Sequence, residues 1–339
     1  MRAPERALSY DRWRETCDTL HAHTQLLGKL AVALAPPEPQ LQHAALRLTA
    51  RGWETYPLPT PDHAGALVVA LDLHAHEAVV ERSAGGSWRV LLWPDRPVAE
   101  VTREVLAAVR EAAGEVQIDP RPQEVSWRVP LDEDREHARY ERAQVSSYFA
   151  SATRAALVLA AFRAPYRGRS TPVNAWWGSF DLAVSLFSGE PAEPPSQDFI
   201  MRNAMDAQEV AVGWWPGDAR HDKAAFYAYA HPAPEGFAGA ALSPPAAPLG
   251  ARAGRVPARL GPGVRARRPV RRGARVCPLG VSPCVRCVRV GSGPGCERRG
   301  QAPAGNVTPR AQRPAAVFPA PAIFPAPRTP LPTFPMRPR

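Results

Sequence analysis

The stretch that decides the fold is Thr171–Gly189, TPVNAWWGSFDLAVSLFSG, bracketed by the turn residues Pro172 and Gly189. From Trp176 onward its alternate positions separate into two faces, the period-two signature of a strand. Trp176, Phe180, Leu182, Val184 and Leu186 form an apolar face, broken only by Gly178, that is expected in a core. Trp177, Ser179, Asp181, Ala183, Ser185 and Phe187 form the other, mixing aromatic groups with small polar ones. Such a face either lines a pocket or meets water, and function turns on which.

Toward the C-terminus, a Pro-rich loop at Glu190–Ser196 leads to a short helical piece near Phe199–Met205. Gln208–Trp214 reads as a strand closed by WWPG (Trp214–Gly217). Ala225–His231 reads as another, with Tyr227, Tyr229 and His231 on one face. Set beside the central strand, these place Trp177, Asp181, Glu209, Trp215, Tyr227, Tyr229 and His231 on a shared surface, the candidate ligand-binding set. Rings and carboxylates together suit a sugar, an amine or a nucleobase. In the competing reading the tryptophans plug the core and Asp181 caps a turn or faces water.

Toward the N-terminus, a helix is expected over about Glu141–Phe162, burying Val145, Phe149, Ala152, Ala156, Leu159 and Phe162. The acids Asp132, Glu133, Asp134 and Glu136 crowd ahead of it, where they would complement its N-terminal dipole. A catalytic reading would pair Asp132 or Asp134 with His137 as general acid and base; Asp134, His137, Asp181 and Glu209 are the catalytic candidates. A second helix is read from about Pro97 to Ala113, stopped by Gly114. A first helix carries Tyr10, Trp13, Cys17, Leu20, Thr24, Leu27 and Leu30 on its apolar face and ends at Pro36-Pro37. His21 and His23, two apart, point in different directions and read as ordinary helix residues. Between these helices lie the strand-like segments Ala45–Arg51, Trp53–Leu58, Leu67–His74, Ala78–Arg82 and Trp88–Trp93, joined by short turns that favour an antiparallel meander. Asp72, His74 and His76 would share one face if the strand continued, but Ala75–Glu77 is where a hairpin should turn, so no metal site is assigned.

Composition divides the chain. Residues 1–240 hold 24 basic and 31 acidic side chains, whereas residues 241–339 hold eighteen arginines, no lysine and one acid, Glu297. Arg, Pro, Gly and Ala make up 65 of those last 99 residues, a composition that buries no core and reads as disordered. An arginine-only basic set built from residues with GC-rich codons is what a GC-rich gene gives when read out of frame, so a frameshift between about Gly239 and Gly250 is expected. A genuine tail would instead bind nucleic acid or another anionic surface. Its cysteines, Cys277, Cys284, Cys287 and Cys296, offer one CxxC without a second close pair. In residues 1–240 only Cys17 occurs, on an apolar helix face. There is no signal-peptide core and no run of eighteen apolar residues, so a soluble, cytoplasmic protein with no membrane partner is expected. GxxxxGK[ST], GxGxxG, HExxH and GxSxG are all missing, and no cofactor is assigned.

GRSTPVNAWWGSFDLAVSLFSG, DEDREHARY before it and GWWPG with AFYAYAHPAPEGF after it resemble the bacterial family called domain of unknown function 5996. YDRWRETCDTLHAHTQLLGKL and LTARGWETYPLP fit the same family, so the resemblance covers about residues 8–240. Many relatives carry a histidine followed by aromatics near Asn174-Ala175-Trp176, and no role of that histidine transfers here. The resemblance implies a shared fold and a bacterial protein but no activity. The expected fold is one α+β domain, residues 1–240, with a mostly antiparallel sheet and three main helices. The expected function is a small-molecule-binding or enzymatic domain with an aromatic and acidic pocket. The alternative is a non-catalytic protein-interaction domain.

Overall fold

The apolar spacing at the N-terminus becomes α1, Tyr10–Leu34, which ends as Ala35 turns extended ahead of Pro36-Pro37. A computed structural model describes residues 9–234 and the backbone of a short strand, Gly263–Arg265. α2, Val98–Ala113, starts after Pro97 and stops at Gly114, whose φ of 95° suits glycine. α3 is Arg142–Arg163. α4, Phe199–Ala204, is capped by Asp198, whose Oδ1 accepts from the Ile200 and Met201 N–H groups at 2.9 and 3.2 Å.

The strands form two antiparallel sheets. The first holds β1 (Arg47–Leu48), β2 (Gly52–Glu54), β3 (Leu58–Pro59), β4 (Ala66–Asp72), β5 (Glu77–Arg82) and β6 (Ser87–Leu91) in the order β1-β2-β4-β5-β6, with β3 also on β4. The second holds β7 (Asn174–Trp176), β8 (Asp181–Pro191), β9 (Ala207–Trp215), β10 (Ala225–His231) and β11 (Gly263–Arg265), each paired with the next. Leu46 and Ala175 exchange two backbone hydrogen bonds, 3.0 and 2.8 Å, and tie the sheets together. The expected α+β class with three long helices stands, its strands shared between two sheets. The rest of residues 241–339 lies outside the described residues, including the tail cysteines and the expected change of frame.

The central stretch is a hairpin, not one strand. β7 pairs with β8, Trp176 opposite Asp181, and Trp177–Phe180 form the turn between them. Phe180 holds a left-handed φ of 55°, unusual for a bulky residue. The turn resets the alternation, so Trp176 is half-buried while Trp177 is buried, the reverse of the sequence expectation for that pair. From Asp181 to Val184 the expected alternation holds, whereas Leu186, expected in the core, is only half-buried. Leu182 and Val184 meet Val212, Trp214 and Ala228 in the main core, while Asp181, Ala183, Ser185 and Phe187 lie on the opposite face. Phe180 joins the core within a stack: its ring lies 5.1 Å from Tyr148, 5.4 Å from Trp53 and 4.9 Å from His21, all within 18° of parallel.

The acidic run 132–136 serves a different helix from the one expected. Glu141 is the N-cap of α3 and its side chain makes no capping bond. The Asp134 and His137 carbonyls accept instead from Ala99 N–H and Val98 N–H, at 2.8 and 2.9 Å, so this turn closes the start of α2. α3 is long and apolar enough to cross a membrane by length and composition alone. It packs Val145, Tyr148, Phe149, Ala152 and Leu159 into the main core. At the β4–β5 turn, Asp72 accepts from the His74 and Ala75 N–H groups, His74 Nε2 bonds Ala50 O and His76 Nδ1 bonds the Tyr140 hydroxyl. Those three side chains thus serve separate partners.

Candidate functional site

The non-core face of the second sheet is where rings and carboxylates meet. Register fixes the set: Phe187 lies across from Glu209 and Glu209 from His231, Ala183 from Gly213 and Gly213 from Tyr227, and Ser185 from Ala211 and Ala211 from Tyr229. Gly213 is required there, since a Cβ would lie 2.3 Å from the Tyr227 ring. Tyr227 and Tyr229, two apart on β10, stack in parallel at 6.2 Å, and Trp215 meets the Tyr227 ring edge-on at 5.9 Å.

Two adjoining cavities open on this face. The inner one, about 70 Å³, lies under the turn at Pro39–Ala44 and under α4. It is lined by Asp181, Ser185, Glu209, Tyr227, Tyr229, Trp177 and the apolar Phe187, Ile200 and Met201. The outer one, about 370 Å³, lies between α1, the loop 124–127 and the end of β9. It is lined by Tyr10, Asp18, His21, Glu124, Trp127, Phe180, Asp181, Trp215, Asp218, Arg220 and Tyr227. Asp181, Tyr227, Ser179 and Glu124 belong to both, so the two form one cleft waisted at Asp181. The larger cavity is of a size that admits a small metabolite.

Asp181 is the best-defined group in the cleft. It is 3% exposed; Ser179 Oγ donates to its Oδ1 at 2.5 Å and the Tyr227 hydroxyl donates to its Oδ2. Burial pushes its carboxyl up to about 6, against the opposing pull of those two hydroxyls. Glu209 has the same character: burial raises it, while Ser185 and Tyr229 pull it down, the latter donating at 3.2 Å. Burial also holds the Tyr227 hydroxyl above its ordinary range, with the Asp181 charge adding to the effect. Asp18 is raised by burial too, and accepts from the Tyr10 hydroxyl at 2.9 Å. Cys17 at the cleft wall is pushed well up by burial and stays a thiol.

Local pairing fixes the walls. Gln25 on α1 clamps the 124–127 loop, donating to Gln123 O at 2.8 Å and accepting from Gln123 N–H at 3.1 Å. His21 Nε2 lies 2.8 Å from Trp177 O and so ties α1 to the β7–β8 turn. Tyr10 N–H donates to Asp222 O at 2.6 Å, and the Ser9 hydroxyl donates to its carboxylate at 2.8 Å, joining the start of α1 to the loop after β9. The Trp177 indole donates to Ala44 O at 3.0 Å, with its ring against Gly28, where any Cβ would lie 2.1 Å from it.

Of the sequence candidates, Asp181, Glu209, Tyr227, Tyr229 and Trp177 line the inner cavity, and Trp215 lines the outer one. His231 lies on the same face but lines neither, with Nε2 2.9 Å from Glu193 O. Asp134 and His137 are joined at 2.7 Å yet sit behind Trp127, whose ring is 4.8 Å from the His137 ring. Burial opposes the charged imidazole, but the Asp134 carboxylate, aided by Asp18, raises His137. Asp18, His21, Glu124, Trp127 and Asp218 were missed. Asp18 and His21 are three apart on α1, so a shared helix face was the available signal, whereas the loop residues carried none. Among the described residues no group of His, Cys, Asp and Glu is gathered to hold a metal ion.

The model of a family described as a family of unknown function (DUF5996) matches residues 6–257, about three quarters of the chain, and the chain belongs to that family. The match continues past residue 240, where the resemblance was expected to stop. Comparison with curated proteins and with solved structures finds no match.

Proposed function

Starting from a family whose activity is unassigned, we propose that this chain binds a small polar molecule in the cleft waisted at Asp181. One observation carries the reading: a buried carboxylate, held by two hydroxyls and ringed by Tyr227 and Trp215, opens on cavities of about 70 and 370 Å³ at once. Folding alone gives no reason for such a group, since burying a carboxylate without a countercharge costs stability. Perturbed acids of this kind concentrate where ligands bind. If a reaction follows binding, Asp181 and Tyr227 are the pair placed to move a proton. A protein-docking reading has less support, because the exposed large apolar residues among those described, Leu91, Leu157 and Tyr166, lie on separate elements and a loop.

The test is a thermal-shift screen of the full chain against a broad set of polar metabolites, followed by hydrogen exchange with any hit. Binding in the cleft should slow exchange in residues 179–185, 209–218 and 225–229. A hit that leaves those segments unchanged, or no hit at all, would oppose the reading.

A further inference from the structure

Two buried carboxylates of the cleft, Asp181 and Glu209, meet no cation of the protein among the described residues. The permanent cation in the lining is Arg220. Arg220 is engaged: its Nε and a terminal nitrogen both donate to Asp218, at 3.2 and 2.6 Å. The inner cavity has no basic side chain in its lining. Asp181 and Glu209 are 3% and 7% exposed, and no ion pair among the described residues involves either.

A third buried acid shows that the fold does pair its carboxylates elsewhere. Asp134, fully buried, receives the His137 ring at 2.7 Å and two backbone N–H groups at 3.0 Å, and these interactions outweigh burial and lower its pKa. Asp181 and Glu209 receive only neutral donors, and burial raises both. An unpaired buried charge invites a countercharge.

We propose that the cleft takes a small organic cation, an ammonium carried on a compact aliphatic body, with Asp181 and Glu209 as its countercharges and Tyr227, Tyr229 and Trp215 as its aromatic walls. This rests on the reading of the cleft as a ligand site. The stacked tyrosines and the neighbouring indole supply the negative ring faces that attract ammonium groups. A neutral sugar or nucleobase would exclude water from both carboxylates and leave them uncompensated. An inorganic cation would need converging ligands, which the described residues do not provide.

The experiment compares matched pairs on the full chain at constant ionic strength: putrescine with 1,4-butanediol, and choline with 3,3-dimethylbutanol, beside glucose and adenosine. At about a hundredfold excess over Kd an amine should raise Tm by roughly 5 °C or more while its neutral isostere does nothing. Asp181→Asn and Glu209→Gln should each lower the amine affinity at least about tenfold, the scale of one buried charge contact. If Asp181→Asn fails to fold, the isostere comparison and Glu209→Gln decide. Equal shifts from amine and isostere, or an amine shift that both variants retain, would overturn the proposal. A shift from glucose or adenosine alone would also overturn it while leaving the cleft as a ligand site. Silence across the panel and across the wider metabolite screen would remove both.

Discussion

Asp181 gathers the energetics of the cleft into one side chain. Its folded pKa, about 6, is raised above the ordinary 3.8. The folded state therefore holds its proton more readily than the unfolded chain, and this group costs stability at neutral pH. That cost is relieved as pH falls through 6 toward 4. The tyrosines on its own face, Tyr227 and Tyr229, are held above their ordinary range by burial and stay neutral across that window. Raising this carboxyl from 3.8 to about 6 is worth about 3 kcal/mol, from which the weakened hydroxyl contacts must be subtracted. Asp181→Asn is expected to stabilise the unliganded protein by about 1–2 kcal/mol at pH 7.5 and by almost nothing at pH 4.5, read from urea unfolding at both pH values. A variant that is less stable at pH 7.5 would mean that the carboxylate is a structural anchor. At this scale the sequence was readable where period two held: Asp181, Glu209, Tyr227 and Tyr229 follow from alternation along β8, β9 and β10. Asp18 and His21 were not, because a polar helix face reads the same whether it meets solvent or a cleft.

Among the elements, the β7–β8 hairpin is where sequence and structure part. Trp176-Trp177-Gly178-Ser179 looked like strand because aromatic residues favour strands and the alternation ran on across the turn by coincidence. Nothing in the local pattern shows that Phe180 would adopt a left-handed φ, since its support is tertiary: the rings of Tyr148, Trp53 and His21 hold it. The three long helices were legible because their apolar spacing is sustained over many turns. The purpose of the 132–136 acids was misread because capping by backbone carbonyls from a distant turn leaves no sequence mark. The hairpin makes a graded prediction. Phe180→Ala and Trp177→Ala should each cost about 3–5 kcal/mol, as buried aromatics do, whereas Trp176→Ala should cost about 1–2 kcal/mol because its ring is half-buried. Chemical unfolding of the three variants checks the order, and a Trp176 variant as damaged as the other two would contradict the placement of the turn.

For the whole molecule, two antiparallel sheets share α1, and the cleft forms where that helix, the 124–127 loop and the second sheet converge. The fold class was available from the meander of short strands and the long helices. The division into two sheets was not, because it depends on which distant strands pair. Composition also singles out residues 241–339, whereas the family match runs on to residue 257. Resequencing the gene and translating the other two frames beyond codon 240 is expected to give a continuation with acids and regular apolar spacing. Neither frame doing so would make the arginine-rich segment a genuine part of the protein. Occupancy of the cleft is read by fluorine NMR of the full chain labelled with 5-fluorotryptophan, titrated with the ligand found by screening. Trp127 and Trp215 line the outer cavity and Trp177 walls the inner one, while Trp88 and Trp93 belong to the first sheet and its edge. Saturable shifts are expected in the Trp127, Trp215 and Trp177 resonances, assigned by single Trp→Phe variants, with Trp88 and Trp93 unmoved; saturable shifts at Trp88 or Trp93 with the cleft tryptophans silent would place the ligand elsewhere.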